Sequence, residues 1–176
     1  MAQTVLVPTT RHELQRLGFQ GFVRFAELSA SDVPAAAGVY AVVRTHVTPP
    51  AFLEVSRGGH FKGRDPSVPV EVLRAAWVEG VETVYLGKAT AGGGGRRGLR
   101  KRLDEYRRFG QGQPVGHWGG RYIWQLEDSG SLVVGWLETS PEDPGDVESR
   151  LIADFIAVTG ARPFANRNRG RRPAPS

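Results

Sequence analysis

The sequence predicts an α+β domain, with a small central antiparallel β-sheet flanked by helices. Two observations carry that expectation. GVYAVVR (38–44) and ETVYLG (82–87) are short apolar stretches in strand-like alternation, each holding a tyrosine and a glycine. LRKRLDEYRRF (99–109) and PEDPGDVESRLIADFIAVTG (141–160) instead repeat their apolar residues at helical spacing. A chain of 176 residues, 40% hydrophobic and 23% charged, fits one soluble domain with a sizeable core.

Residues 1–37 read as an N-terminal extension. It holds a helix in TRHELQRLGF, capped by Thr10, and an irregular stretch ending in SDVPAAAG. In the first strand Val39, Ala41 and Val43 point one way, and Tyr40, Val42 and Arg44 the other. Residues 45–80 interrupt the sheet with Pro49, Pro50, Pro66, Pro69 and the glycine-rich GGHFKGRDP, then close on a helical VEVLRAAWVEG. In the second strand Val84 and Leu86 share one face and Tyr85 takes the other.

A glycine-arginine loop at 92–98 leads into the arginine-rich helix, whose buried stripe is Leu99, Leu103 and Tyr106, with Arg102 at its edge. RYIWQLE and LVVGWLE, joined by DSGS, read as a β-hairpin that adds to the sheet. Val147, Leu151, Ile152, Phe155 and Ile156 form the stripe of the last helix; Pro144 marks its start, and Gly160 with Pro163 its end. Glu148 shares a face with Ile152 and Phe155. Its carboxylate therefore points toward the core side, which is costly unless the charge is paired or holds a metal. The basic tail 167–176 has the composition of a disordered segment.

Net charge is +5 and unevenly spread. Nine Lys/Arg against Asp104 and Glu105 lie between Tyr85 and Arg121, and five arginines without an acid lie between Arg162 and Arg172. The rest of the chain is net acidic. Such a pattern suggests a polyanion partner, nucleic acid before membrane. No apolar run approaches a membrane span, and the N-terminus lacks the pattern of a signal peptide, so a cytoplasmic location is the default expectation. The absence of cysteine excludes disulfides, thiol nucleophiles and cysteine-based zinc sites. GGGRRG (93–98) fits a dinucleotide-binding spacing, yet no second βαβ unit follows. GKAT (87–90) lacks the upstream glycine of a phosphate-binding loop.

Taken together, GVY (38–40), VYLGKA (84–89), LRKRLDEY (99–106), ESRLI (148–152) and RPFAN (162–166) resemble the GIY-YIG nuclease superfamily. Five motifs in the family's order span 38–166, with Lys88 and Tyr106 placed as in its excision-repair branch. Two departures stand out: residues 45–80 read as an insertion between the tyrosine strands, and Glu148 lies farther from Asn166 than in that branch. VGHWGGRYIWQL (115–126) lies outside the family's core pattern and makes His117 a further candidate for the site.

The resemblance implies a GIY-YIG-like β-β-α-β-α core and a metal-dependent endonuclease that hydrolyses phosphodiester bonds in DNA, duplex or branched. The implied catalytic set is Tyr40, Tyr85, Lys88, Arg102, Tyr106, Glu148 and Asn166, with one Mg²⁺ or Mn²⁺ held by Glu148 and waters. Tyr40 is the expected base, although the choice between the two phenols stays open. A phenol with pKa near 10 is only about one part in a thousand ionised at neutral pH. Lys88 or Arg102 is expected to lower that value, unless the proton moves in concert with attack. Arg96, Arg97, Arg100, Lys101 and Arg108 are expected to grip flanking phosphates. The competing expectation is a nucleic-acid-binding module on the same fold without cleavage. Cutting both strands would require two sites, hence a homodimer or sequential nicking.

Overall fold

A computed structural model describes residues 6–46 and 48–167. It has an α+β fold built on one four-stranded antiparallel sheet. The elements are α1 (Arg11–Arg16), β1 (Gln20–Arg24), β2 (Gly38–Val43), α2 (Val70–Ala76), β3 (Thr83–Ala89), α3 (Leu99–Gly110), β4 (Val133–Glu138) and α4 (Pro144–Thr159). The strand order is β1-β4-β2-β3, which leaves β2 central and β3 at an edge.

Both tyrosine stretches form strands and pair, with Tyr40 opposite Gly87 and Val42 opposite Tyr85. Tyr40 and Tyr85 thus stand diagonally on one face. The motif glycines are needed for space. A Cβ on Gly87 would sit 2.5 Å from Tyr40 Cζ, and one on Gly38 would sit 2.2 Å from the Leu137 carbonyl oxygen. Val84 departs from the expected alternation. Val43 pairs with Thr83 and Val42 with Tyr85, so Val84 is an extra residue in a bulge and joins the same cluster as Tyr85 rather than that of Leu86.

The sheet separates two apolar clusters. On one side Tyr40, Val42 and Tyr85 meet Leu99, Leu103, Tyr106 and Phe109 of α3, the stripe read from the sequence plus one more turn. On the other, Val39, Ala41, Val43 and Leu86 meet Leu14 of α1 and Val147, Leu151 and Ile152 of α4. The Thr10 side chain caps α1 by accepting from the Glu13 amide, Asp143 caps α4, and Gly160 closes α4 in the left-handed region at φ 76°.

Two expectations fail. Gln20–Arg24, within the stretch expected to be irregular, is strand β1 and pairs with β4. RYIWQLE is not half of a hairpin: Arg121–Gln125 is a 3₁₀ turn, and only Val133–Glu138 is a strand. Both edges of β4 are already taken, by β1 and β2, so no place remains beside it. The 121–126 segment is pinned to the insertion instead. The Gln125 side chain accepts from the Val68 amide and donates to the carbonyls of Leu53 and Val68, while Arg121 Nε donates to the Pro66 carbonyl. Of the tail expected at 167–176, residues 168–176 lie outside the described residues.

Candidate active site

Four elements bring the predicted groups together. β2 supplies Tyr40, β3 Tyr85 and Lys88, α3 Arg102 and Tyr106, and α4 Glu148. The rings of Tyr40 and Tyr85 are 6.0 Å apart, and that of Tyr106 lies 6.2 and 5.7 Å from them. The charge of Arg102 acts on all three phenols and on Glu148, and that of Glu148 acts on Tyr40 and Tyr85. Electrostatically these groups form one constellation.

The segment 116–120 closes it. Arg102 Nη1 donates to the Gly116 carbonyl at 2.9 Å, and the Tyr106 hydroxyl donates to the Gly120 carbonyl at 2.7 Å. The Tyr40 hydroxyl and His117 Nε2 share a 2.9 Å hydrogen bond, and the His117 ring stacks on Tyr106 at 3.5 Å with planes 3° apart. His117 is wholly buried, and its Nδ1 has no partner among the described residues. Burial, seconded by Arg102, drives its pKa well below 6.5. The imidazole is therefore neutral, and its tautomer decides whether Nε2 accepts the Tyr40 proton or donates to the phenol oxygen.

The phenols do not behave as expected from the sequence. Burial raises the pKa of Tyr40, and Arg102 only partly offsets it; burial lifts Tyr85 well above 10, and the neighbouring Tyr40 adds to the effect. Both are neutral hydroxyls at rest. Burial thus outweighs the nearby cation at both phenols, against the expectation that Lys88 or Arg102 lowers their pKa. The two tyrosines also differ in access: Tyr40 is 0% exposed, whereas Tyr85 is 7% exposed.

Glu148 is held by Lys88, with Nζ 3.0 Å from Oε2. Its side chain is 13% exposed, and burial raises its pKa against the opposing pull of Lys88 and Arg102. A single, largely buried carboxylate is a ligand type that suits a hard cation such as Mg²⁺, which takes one or two carboxylates and keeps several waters. The donor chemistry fits, although no group of three or more His, Asp or Glu gathers among the described residues.

Asn166 is engaged by the backbone of β3. Its Oδ1 accepts from the Leu86 amide at 2.9 Å, and its Nδ2 donates to the Leu86 carbonyl at 2.8 Å. Both ends of the amide are spent on the outer edge of β3. The arginines expected to grip phosphate divide. Arg97 pairs with Glu105 at 3.0 Å, Arg100 Nε donates to the Val33 carbonyl and Arg108 Nε to Gln113, while Arg96 and Lys101 are exposed. The sequence reading missed Gly116, Trp118, Gly120 and Arg121. The signal was the run of His, Trp, glycines and Arg in GHWGGR, foreign to the core pattern.

Among the described residues no helix is long and apolar enough to cross a membrane. Comparison with protein-family models, with characterised proteins and with solved structures finds no match.

Proposed function

We propose that this protein is a GIY-YIG-type endonuclease that hydrolyses phosphodiester bonds in DNA with one divalent cation. The observation that carries the reading is the meeting of Tyr40, Tyr85, Arg102 and the Lys88–Glu148 pair from four elements. With α2 set aside as part of the insertion, the run β2-β3-α3-β4-α4 supports it, because it follows the β-β-α-β-α order of that core.

Tyr85, the less completely buried of the two phenols, holds the attacking water and takes part in its deprotonation as the oxygen closes on phosphorus. Tyr40 lies behind it, hydrogen-bonded to neutral His117. Arg102 meets the negative charge that grows on a non-bridging phosphate oxygen, where a fixed donor needs no reorganisation. Lys88 keeps the Glu148 carboxylate in place. Mg²⁺ or Mn²⁺ bound at Glu148 would supply Lewis-acid polarisation of the scissile phosphate.

Supercoiled plasmid with Mg²⁺ or Mn²⁺ tests the proposal. Wild type nicks it, and Glu148→Ala and Arg102→Ala each lose about 10²-fold or more in rate. Nicking undiminished in both variants, or absent in the wild type, overturns the reading. Salt-sensitive DNA binding that metal never converts to nicking would instead favour a non-catalytic nucleic-acid-binding module.

A further inference from the structure

Arg121 poses a physical problem. The residue is only 7% exposed, yet no carboxylate among the described residues forms an ion pair with it. Its Nε donates to the Pro66 carbonyl at 3.1 Å, its Nη1 makes a long 3.5 Å contact with the Trp118 carbonyl, and its Nη2 has no partner among the described residues. The guanidinium lies 4.5 Å from the Trp118 ring centroid and 5.3 Å from that of Tyr122. Arg64, from the insertion, lies 5.5 Å from the same Trp118 ring. Burial lowers the Arg121 pKa, and the charges of Arg167 and Arg64 add to that. Arg121 and Arg64 therefore share the Trp118 ring, the charge of Arg167 reaches Arg121, and no carboxylate among the described residues forms an ion pair with Arg121 or Arg64. A buried charge left this way is costly unless a ligand supplies the counter-charge.

The cluster adjoins the candidate active site. Trp118 follows His117, a Cβ on Gly119 would come 3.6 Å from Tyr85 Oη, and Arg121 follows Gly120, the acceptor of the Tyr106 hydroxyl. Phe61 of the insertion lies against Gly116, whose carbonyl holds Arg102. Planar guanidinia backed by aromatic faces match phosphate oxygens in geometry as well as charge.

We infer that Arg64, Arg121 and Arg167 grip the phosphodiester backbone of the DNA strand that flanks the scissile phosphate, and that the insertion exists to complete this grip. The choice of DNA rests on the nuclease reading above; the anion chemistry does not. Trp118 backs the Arg121 and Arg64 guanidinia, Tyr122 backs that of Arg121, and neither ring reads a base.

The test is anisotropy of a fluorescein-labelled DNA duplex bound to the Glu148→Gln protein without divalent metal, over a range of salt. Arg64→Gln, Arg167→Gln and Arg121→Gln are compared in that background. The first two change exposed side chains, so they report even if Arg121→Gln fails to fold, which circular dichroism would reveal. Each lost contact should flatten the log–log salt slope by about 0.9, which at 0.1 M salt is roughly eightfold weaker binding. Unchanged affinity and slope in the Arg64→Gln/Arg167→Gln double variant overturn the inference. Competition by inorganic phosphate as strong as by unlabelled duplex, phosphate for phosphate, also overturns it in favour of a small-anion site. Binding confined to an RNA duplex overturns the choice of DNA. The two proposals separate cleanly: weakened binding with plasmid left uncut by the wild type keeps the grip and removes the nuclease, whereas cut plasmid with unaltered binding does the reverse.

Discussion

Replacing Asn166 by alanine tests whether that residue belongs to the chemistry or to the scaffold. Its amide makes two buried hydrogen bonds to Leu86, at 2.9 and 2.8 Å, on the edge of β3 that no strand among the described residues covers. Each such bond contributes about 1 kcal/mol net, and a buried amide or carbonyl left without a partner costs about 1–3 kcal/mol more. The adjacent bond from the Ala165 amide to the Val84 carbonyl survives the change and limits the damage. The expected loss is therefore about 3 kcal/mol, or roughly 6–12 °C in Tm for a chain of this size. Urea denaturation with linear extrapolation measures it, and an unchanged slope would show that the native and unfolded states are otherwise alike. Asn166→Asp keeps one bond and sets a carboxylate against the Leu86 carbonyl, so it should restore nothing. A loss below about 0.5 kcal/mol together with abolished cleavage would refute the scaffold role.

Three further outcomes follow from the geometry. Gly87→Ala places a methyl 2.6 Å from Tyr40 Oη and should abolish nicking by displacing Tyr40, with a changed near-ultraviolet circular dichroism spectrum; a fully active variant would contradict the close approach. The Tyr40–His117 bond can be isolated with Tyr40→Phe, His117→Phe and the double variant, and the cycle should give a coupling of about 1 kcal/mol or more; additive losses would argue against the bond. Because burial raises the Glu148 pKa above its ordinary 4.5, folding binds a proton and stability falls as pH climbs through that raised value. Glu148→Gln should accordingly be more stable than wild type at neutral pH, and that advantage should vanish below about pH 4.5; a variant less stable at neutral pH would mean the Lys88 contact outweighs desolvation.

What the sequence disclosed depended on periodicity. Alternation in 38–44 and helical spacing in 99–109 and 144–159 each span enough residues to be unambiguous, and all three form as read. Strand β1 escaped because it has five residues and includes Gly21 at φ 90° and Phe22 at φ 58°, which break any alternation. RYIWQLE misled for the opposite reason. Its β-rich composition suits a strand, but strand formation needs a free neighbour, and β4 has none. In the site, motif spacing pointed to Tyr40, Tyr85, Arg102 and Glu148. It was silent on the direction in which burial moves the phenols, which depends on what α3 and residues 116–120 stack over them.

The pairing of Asn166 and Ala165 with β3 bears on self-association. Their bonds to Leu86 and Val84 occupy polar backbone groups that would otherwise template another chain, so this margin resists strand-by-strand docking of a second molecule. The opposite margin, β1, is brief and kinked at Gly21 and Phe22, a poor partner for continuous ladders. Any twofold arrangement able to sever both strands of a duplex must accordingly be built through helices or loops, leaving the β-layer of each copy intact.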